Sequence, residues 1–302
     1  MNTDQTASAI ESLSEGARGL LVEPGSAAEI APRVHVMPDR RVNLVPNVGI
    51  VVGDDATLIV DTAMGPINGA LVLEEARRIA GDKPLYVTVT HFHPEHGFGA
   101  QALIDQATLI YNRAQVVDLL EQGPGFIEMF SGFAPEIAEL LAPVELVRPR
   151  IAYDGECEID LGGVTVLLRE RGGAHTKGDQ IVLVPDSGVL FAGDLVENRF
   201  FPIVFGDDAN GPEWIKTLDE LAEINASVVV PGHGETAGAE LISEQRAYLV
   251  AVGEAVKQRI DSGQDVETIA SELGPEIEQQ YSSWENSEWI DFAIRNFHRE
   301  LS

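Results

Sequence analysis

The sequence predicts an α/β fold built from two comparable halves, and three observations carry that reading. Short β-branched runs alternate with longer stretches at helical spacing over about residues 33–120, and again over about 144–235. The 302 residues are 44% hydrophobic and 23% charged, enough apolar surface to offset the entropy of folding and exclude a disordered chain. The residues that carry chemistry fall just past buried strands, where sites of α/β proteins gather. No sequence identity links the halves, so only their order suggests a repeat.

Residues 1–32 are polar and small, punctuated by Pro24 and Pro32, and read as a mobile arm. Alternation then begins at Val34 and Val36 and resumes through Val42, Leu44, Val48, Ile50 and Val52. Gly53-Asp54-Asp55 reads as a hairpin turn, followed by a buried strand from Thr57 to Asp61. Pro66 opens a helix that runs to Ala80. Strands follow at 84–90 and 108–111, then a helix over 113–121 and a Gly/Pro-bounded insertion over 122–143. The second half predicts strands at 144–153, 156–160, 163–169, 180–185 and 188–193. A helix near 212–224, a strand at 227–230 and a long helix over about 238–261 follow. The division expected is an arm (1–32), a core (33–235) and C-terminal helices packed on that core (236–302).

Twenty Lys+Arg against 49 Asp+Glu give a net charge of −29. That acidity argues against nucleic acid and anionic membrane as partners. No apolar run reaches the ~18 residues of a membrane span. The first residues lack a basic region and an apolar region, so a secretory signal is not expected. The single cysteine, Cys157, allows no internal disulfide and fits a reducing, cytoplasmic setting. The expected partner is a small-molecule substrate, with a homo-oligomer left open.

Three of seven histidines lie in His91-Phe92-His93-Pro94-Glu95-His96. Alternate residues of extended chain point the same way, so His91 and His93 converge. Pro94 suits a first helical turn, and Glu95 there meets the positive end of the helix dipole. Imidazole and carboxylate are the usual ligands of zinc, iron or manganese. A lone histidine is more often structural, but such clustering is costly without a metal. His175 in a Gly-rich loop, Asp194 in Phe191-Ala192-Gly193-Asp194, and His233 in Pro231-Gly232-His233-Gly234 are further candidates at strand ends. Each alone is weak; together with the cluster they supply a ligand count for two metals.

These motifs, in this order, resemble the metallo-β-lactamase-fold superfamily. The stretch Ile59-Val60-Asp61-Thr62-Ala63-Met64-Gly65 is similar to that family's second strand. The resemblance covers about residues 33–235 and implies a four-layer αββα sandwich with the site at the lip between the sheets. It implies that His91, His93 and His175 hold one metal, and that the acidic position, His96 and His233 hold a second. Asp194 would bridge, and Asp61 would support the ligand loop, a plain strand-end turn being as good a reading. The implied cofactor is Zn2+, two ions per chain.

The family pattern is H-x-H-x-D-H, and here Glu95 stands at the acidic position. The extra methylene displaces the carboxylate by ~1.5 Å, more than the ~0.2 Å tolerance of a metal–oxygen distance. Glu95 is then either a ligand from a shifted backbone or a general base beside one metal, with one zinc, iron or manganese as alternatives.

Substrate signals are thinner. Residues 122–143 and 198–205 are rich in Phe and aliphatic residues, which suits a pocket wall for an acyl or aromatic group, or at least equally a dimer interface or simple packing under the C-terminal helices. Arg199 and Lys177 are candidates for a substrate carboxylate, with solvated charge the commoner role. Trp214 reads as core. The resemblance implies a hydrolase in which a metal-bound hydroxide attacks a carbonyl-type bond (lactone, thioester, ester or amide), with Glu95 and Asp194 as catalytic candidates. The alternatives are a mononuclear iron oxygenase resembling the persulfide dioxygenase branch, and a non-catalytic metal-binding protein.

Overall fold

The computed structural model describes residues 3–302. Helices α1 (Thr3–Ser12) and α2 (Glu15–Gly19) precede a seven-stranded sheet. Its strands are β1 (Ala28–Ala31), β2 (Val34–Met37), β3 (Val48–Val52), β4 (Thr57–Val60), β5 (Leu85–Thr88), β6 (Ala107–Asn112) and β7 (Ile151–Tyr153), side by side in that order. Pairing is antiparallel from β1 to β4 and parallel from β4 to β7. Parallel pairing needs crossovers. Helix α3 (Gly65–Ala80), with proline in its first turn, supplies one. A single turn, α4 (Pro94–Gly97), follows β5. Helices α5 (Arg113–Glu121), α6 (Gly123–Ser131) and α7 (Pro135–Leu141) separate β6 from β7. The start of α5 is fixed by reciprocal hydrogen bonds between Asn112 and Gln115.

The second sheet holds β8 (Glu156–Asp160), β9 (Thr165–Glu170), β10 (Gln180–Val184), β11 (Val189–Gly193) and β12 (Val228–Pro231), in the order β12-β11-β10-β9-β8. Helix α8 (Gly211–Glu223) crosses between the parallel strands β11 and β12. Helices α9 (Glu240–Asp261), α10 (Val266–Gln280) and α11 (Trp289–Leu301) close the described chain.

Side-chain alternation builds the layers. On β3, Ile50 packs with Leu71 and Val72 of α3, while its neighbour Val51 packs with Val182 and Phe191 of the second sheet. The other face of that sheet, through Ile181 and Leu190, meets Trp214, Leu249 and Phe297 of α8, α9 and α11. Three apolar layers thus separate helices, sheet, sheet and helices, which is the αββα sandwich.

Three local expectations are corrected. The described residues of the 1–32 arm form α1, α2 and β1, with Leu13, Ala17, Leu21 and Val22 buried against α3 and α7. Asn68 of α3 accepts a bond from Val22 N at 2.8 Å and so ties the segment down. The strand expected over 144–153 is reduced to 151–153, because the preceding residues run as irregular chain. Residues 42–47 do not continue the β3 alternation: Arg40, Arg41 and Leu44 have left-handed backbone, which no strand tolerates.

Candidate metal centre and its cavity

All seven candidate ligands converge at one lip of the two sheets. His91, His93, His175 and Asp194 form one buried group, and Glu95, His96, His233 and Asp194 form a second. In each, one ligand atom per residue lies within 4.8 Å of the others. Asp194 belongs to both. Glu95 therefore reaches the second group in spite of its extra methylene.

The elements explain the convergence. His91 and His93 leave the end of β5, and α4 turns the chain so that His96 points back. His175 comes from the β9–β10 loop, Asp194 from the end of β11, and His233 from the end of β12. Gly193 permits the last turn of β11: it has φ +55°, and a Cβ there would meet Thr90 at 2.5 Å. At Gly232 a Cβ would lie 1.9 Å from Asp194 Oδ1, so only glycine leaves that oxygen room.

Partners around the ligands aim their lone pairs. Asp61 accepts from Thr90 N at 2.6 Å and lies 2.9 Å from His96 Nδ1. A carboxylate only accepts, so His96 carries a proton on Nδ1, and its Nε2 stands 3.0 Å from Asp194 Oδ1. Asp61 holds φ +69°, a strained backbone fixed by these bonds. His175 Nδ1 donates to Ile203 O at 3.0 Å, and its Nε2 faces His93 Nδ1 at 3.1 Å. Asp179 accepts from the backbone N–H of His175 and Thr176. Glu197 accepts from His233 N at 2.9 Å, and Asp39 from Gly234 N at 2.6 Å. Asp61 stood out in the sequence. Glu197 and Asp39 did not: the acid three residues past Asp194 lacks any local pattern, and Asp39 belongs to a distant loop.

The donor set fits a divalent cation. His91 Nε2, His96 Nε2, Glu95 Oε2 and both carboxylate oxygens of Asp194 are buried without a hydrogen-bond partner. Buried polar atoms are normally satisfied, and five orphans aimed at one space need a cation or extra protons. Burial pushes His91 and His93 well below the ordinary imidazole range, helped by neighbouring imidazoles, so both are neutral donors. Burial opposes the charged form of His96, but Asp194 and Asp61 on either side outweigh it and raise the imidazole well above its usual range. Burial likewise opposes ionised Asp194, yet His96 and His91 hold it well below the carboxylate range. Burial pushes Glu95 up to about 7.

A cavity opens beside His93. Leu44, Phe126, Met129, Phe130, Ile203 and Phe292 line it with His93, and Phe133, Phe205 and Trp289 complete the wall, around about 100 Å³ of accessible space. Phe126 stacks on the His93 ring with centroids 4.8 Å apart. A smaller cavity of about 20 Å³ meets the second ligand group at Glu95 and His233 and shares Leu44 and Ile203 with the first. Lys177 and Arg199 line neither: Lys177 pairs with Asp208 at 2.5 Å, and Arg199 is exposed. Trp214 is core, fully buried and donating to Leu195 O at 3.0 Å.

With this geometry in place, likeness to known proteins is informative. The sequence model of the Metallo-beta-lactamase superfamily matches residues 41–233. The chain belongs to this superfamily. It is 27% identical over 223 residues to the linear primary-alkylsulfatase of Pseudomonas sp. (strain ATCC 19151), covering 63% of this chain and 42% of that protein. It is 24% identical over 214 residues to the acyl-coenzyme A thioesterase MBLAC2 of Homo sapiens, covering 64% of this chain and 75% of that protein. The sec-alkylsulfatase Pisa1 from Pseudomonas sp. superposes with a TM-score of 0.70 at 13% identity, covering 98% of this chain and 61% of that one. The superfamily chain thus spans less than half of the alkylsulfatase it matches in sequence. Among its described residues no helix is long and apolar enough to cross a membrane.

Proposed function

We propose that the chain is a metal-dependent hydrolase with two zinc ions per chain. The observation that carries this is the pair of buried ligand groups sharing Asp194, whose donor atoms have no other partner. His91, His93 and His175 would hold one ion, Glu95, His96 and His233 the other, and Asp194 both. Bound there, a divalent cation supplies Lewis-acid polarisation of the scissile bond and lowers the pKa of water toward ~7.

The chain's own residues do the rest. Asp61 and Ile203 O fix which nitrogen of His96 and His175 carries the proton. The apolar wall at Phe126 and Phe130 excludes water from the His93 side. Glu95 Oε2 is the atom that either ligates or moves a proton. The bond cleaved is assigned to lactones, thioesters, esters or amides, and likeness to an alkylsulfatase adds sulfate esters.

The test is metal analysis of pure protein, then turnover of these substrates with metal removed and restored. His91→Ala, His93→Ala and His175→Ala should each abolish turnover and most metal binding. Wild-type metal content in all three would overturn the ligand assignment. Iron with oxygen uptake would replace it with the mononuclear oxygenase reading.

A further inference from the structure

We propose that the cavity beside His93 is the subsite for the substrate's organic group, and that it selects an uncharged, apolar tail. The inference rests on the hydrolase reading for the position of the scissile bond, and adds the chemistry of what is attached to it. His93 is both a candidate ligand and part of the cavity wall, so a group filling the cavity leaves its reacting bond beside the ligand cluster. Four separate chain segments build the wall: Leu44 between β2 and β3, Phe126, Met129 and Phe130 from α6, Ile203 and Phe205 from the segment after β11, and Trp289 and Phe292 from α11. The C-terminal helix thereby becomes part of the specificity site.

Charge decides the class of tail. Apart from His93, every lining residue is aliphatic, aromatic or Met. The smaller cavity adds Glu95 and Glu197, two carboxylates, and no Lys or Arg. Arg199 is exposed and lines neither cavity. Lys177 pairs with Asp208, and Arg41, over the Phe200 ring, pairs with Glu235 and Glu285. A carboxylate or phosphate on the tail would be desolvated without a partner. A primary ammonium gains cation–π attraction from the rings of the larger cavity, but that falls short of the cost of stripping its water with no carboxylate in the wall. About 100 Å³ of accessible space is smaller than a drug-sized pocket and suits a single aryl ring or a short alkyl chain.

The experiment uses metal-loaded protein and straight-chain phenyl esters of increasing acyl length, each beside the same ester with a terminal carboxylate. Within the neutral series kcat/KM should rise about fourfold per methylene until the cavity is full. The terminal carboxylate should lower kcat/KM about 100-fold or more. Met129→Lys and Phe292→Lys place a cation in the wall, and either should recover at least tenfold of that loss relative to the neutral ester. Carboxylate esters turned over as fast as neutral ones would overturn the proposal. If no phenyl ester turns over, carboxylic-ester hydrolysis fails for this site, and the subsite is read by binding instead. Hexan-1-ol should then change the fluorescence of Trp289, and 6-aminohexan-1-ol should not, with Trp289→Phe as the control that removes the signal. Equal responses to the two alcohols, or none to hexan-1-ol, would refute the subsite.

Discussion

The chemistry of this site is set by which nitrogen of each imidazole is left free. Asp61 is the clearest case, because it fixes His96 without facing the ligand cluster itself. Asp61→Asn keeps the side-chain shape and tolerates the left-handed backbone, but removes the charge and one acceptor. Metal affinity should fall about 10–100-fold, the usual worth of such a partner. Titration against a competing chelator reads it, and unchanged affinity would reduce Asp61 to a turn former. The ligand residues were legible because they sit in short, dense motifs after apolar strands. Glu197 and Asp39 were not, since each reaches the site through tertiary packing and one backbone N–H.

At the scale of elements, the packing of α5 against the β9–β10 loop and Asp208 carries a buried acid. Burial, and then Asp208, push the Asp118 carboxyl up to about 6, while Gln122 and Lys177 pull it down less. The folded protein therefore holds a proton on Asp118 between about pH 4 and 6, where an unfolded chain has released it. Its contribution to stability is present below pH 4 and lost as pH rises through 6. Asp118→Asn removes that loss, and should stabilise the fold at pH 7–8 by about 1–2 kcal/mol with little change at pH 4. Urea titrations at the two pH values check it; equal stability changes at both would contradict the sign. Strand and helix positions in the sheets were legible from period-2 and period-3.6 patterning. The N-terminal segment was not, because α1 and α2 are short and polar, and the segment buries only isolated anchors such as Ala17 in α2 and Leu21 just after it. A sequence window averages such anchors away, whereas Asn68 and the α3 surface recognise them individually.

For the whole molecule, three apolar layers hold the sandwich together independently of any ion. A chain of this length buries roughly 75% of its unfolded surface, so metal removal should leave a cooperative thermal transition. That transition should shift down, because ions bound to the folded form alone add stability. Scanning calorimetry with and without chelator tests this, and loss of cooperativity on chelation would make the metal part of the fold. The superfamily architecture was readable from the order of four motifs. The cavity wall was only half readable: the Phe-rich stretches at 122–143 and 198–205 stood out, but Trp289 and Phe292 reach it from α11, which no local pattern connects to the ligands.

The central claim is a two-ion centre in which Glu95 is a ligand, and metal stoichiometry of wild type beside Glu95→Gln tests it most directly. The substitution keeps the length of the side chain and removes its charge, so it weakens one ion and spares His91, His93 and His175. Elemental analysis should find about two zinc ions per wild-type chain and about one in Glu95→Gln. One ion per wild-type chain, unchanged in Glu95→Gln with turnover cut by about 10²–10⁴, would instead make Glu95 a general base beside a single metal.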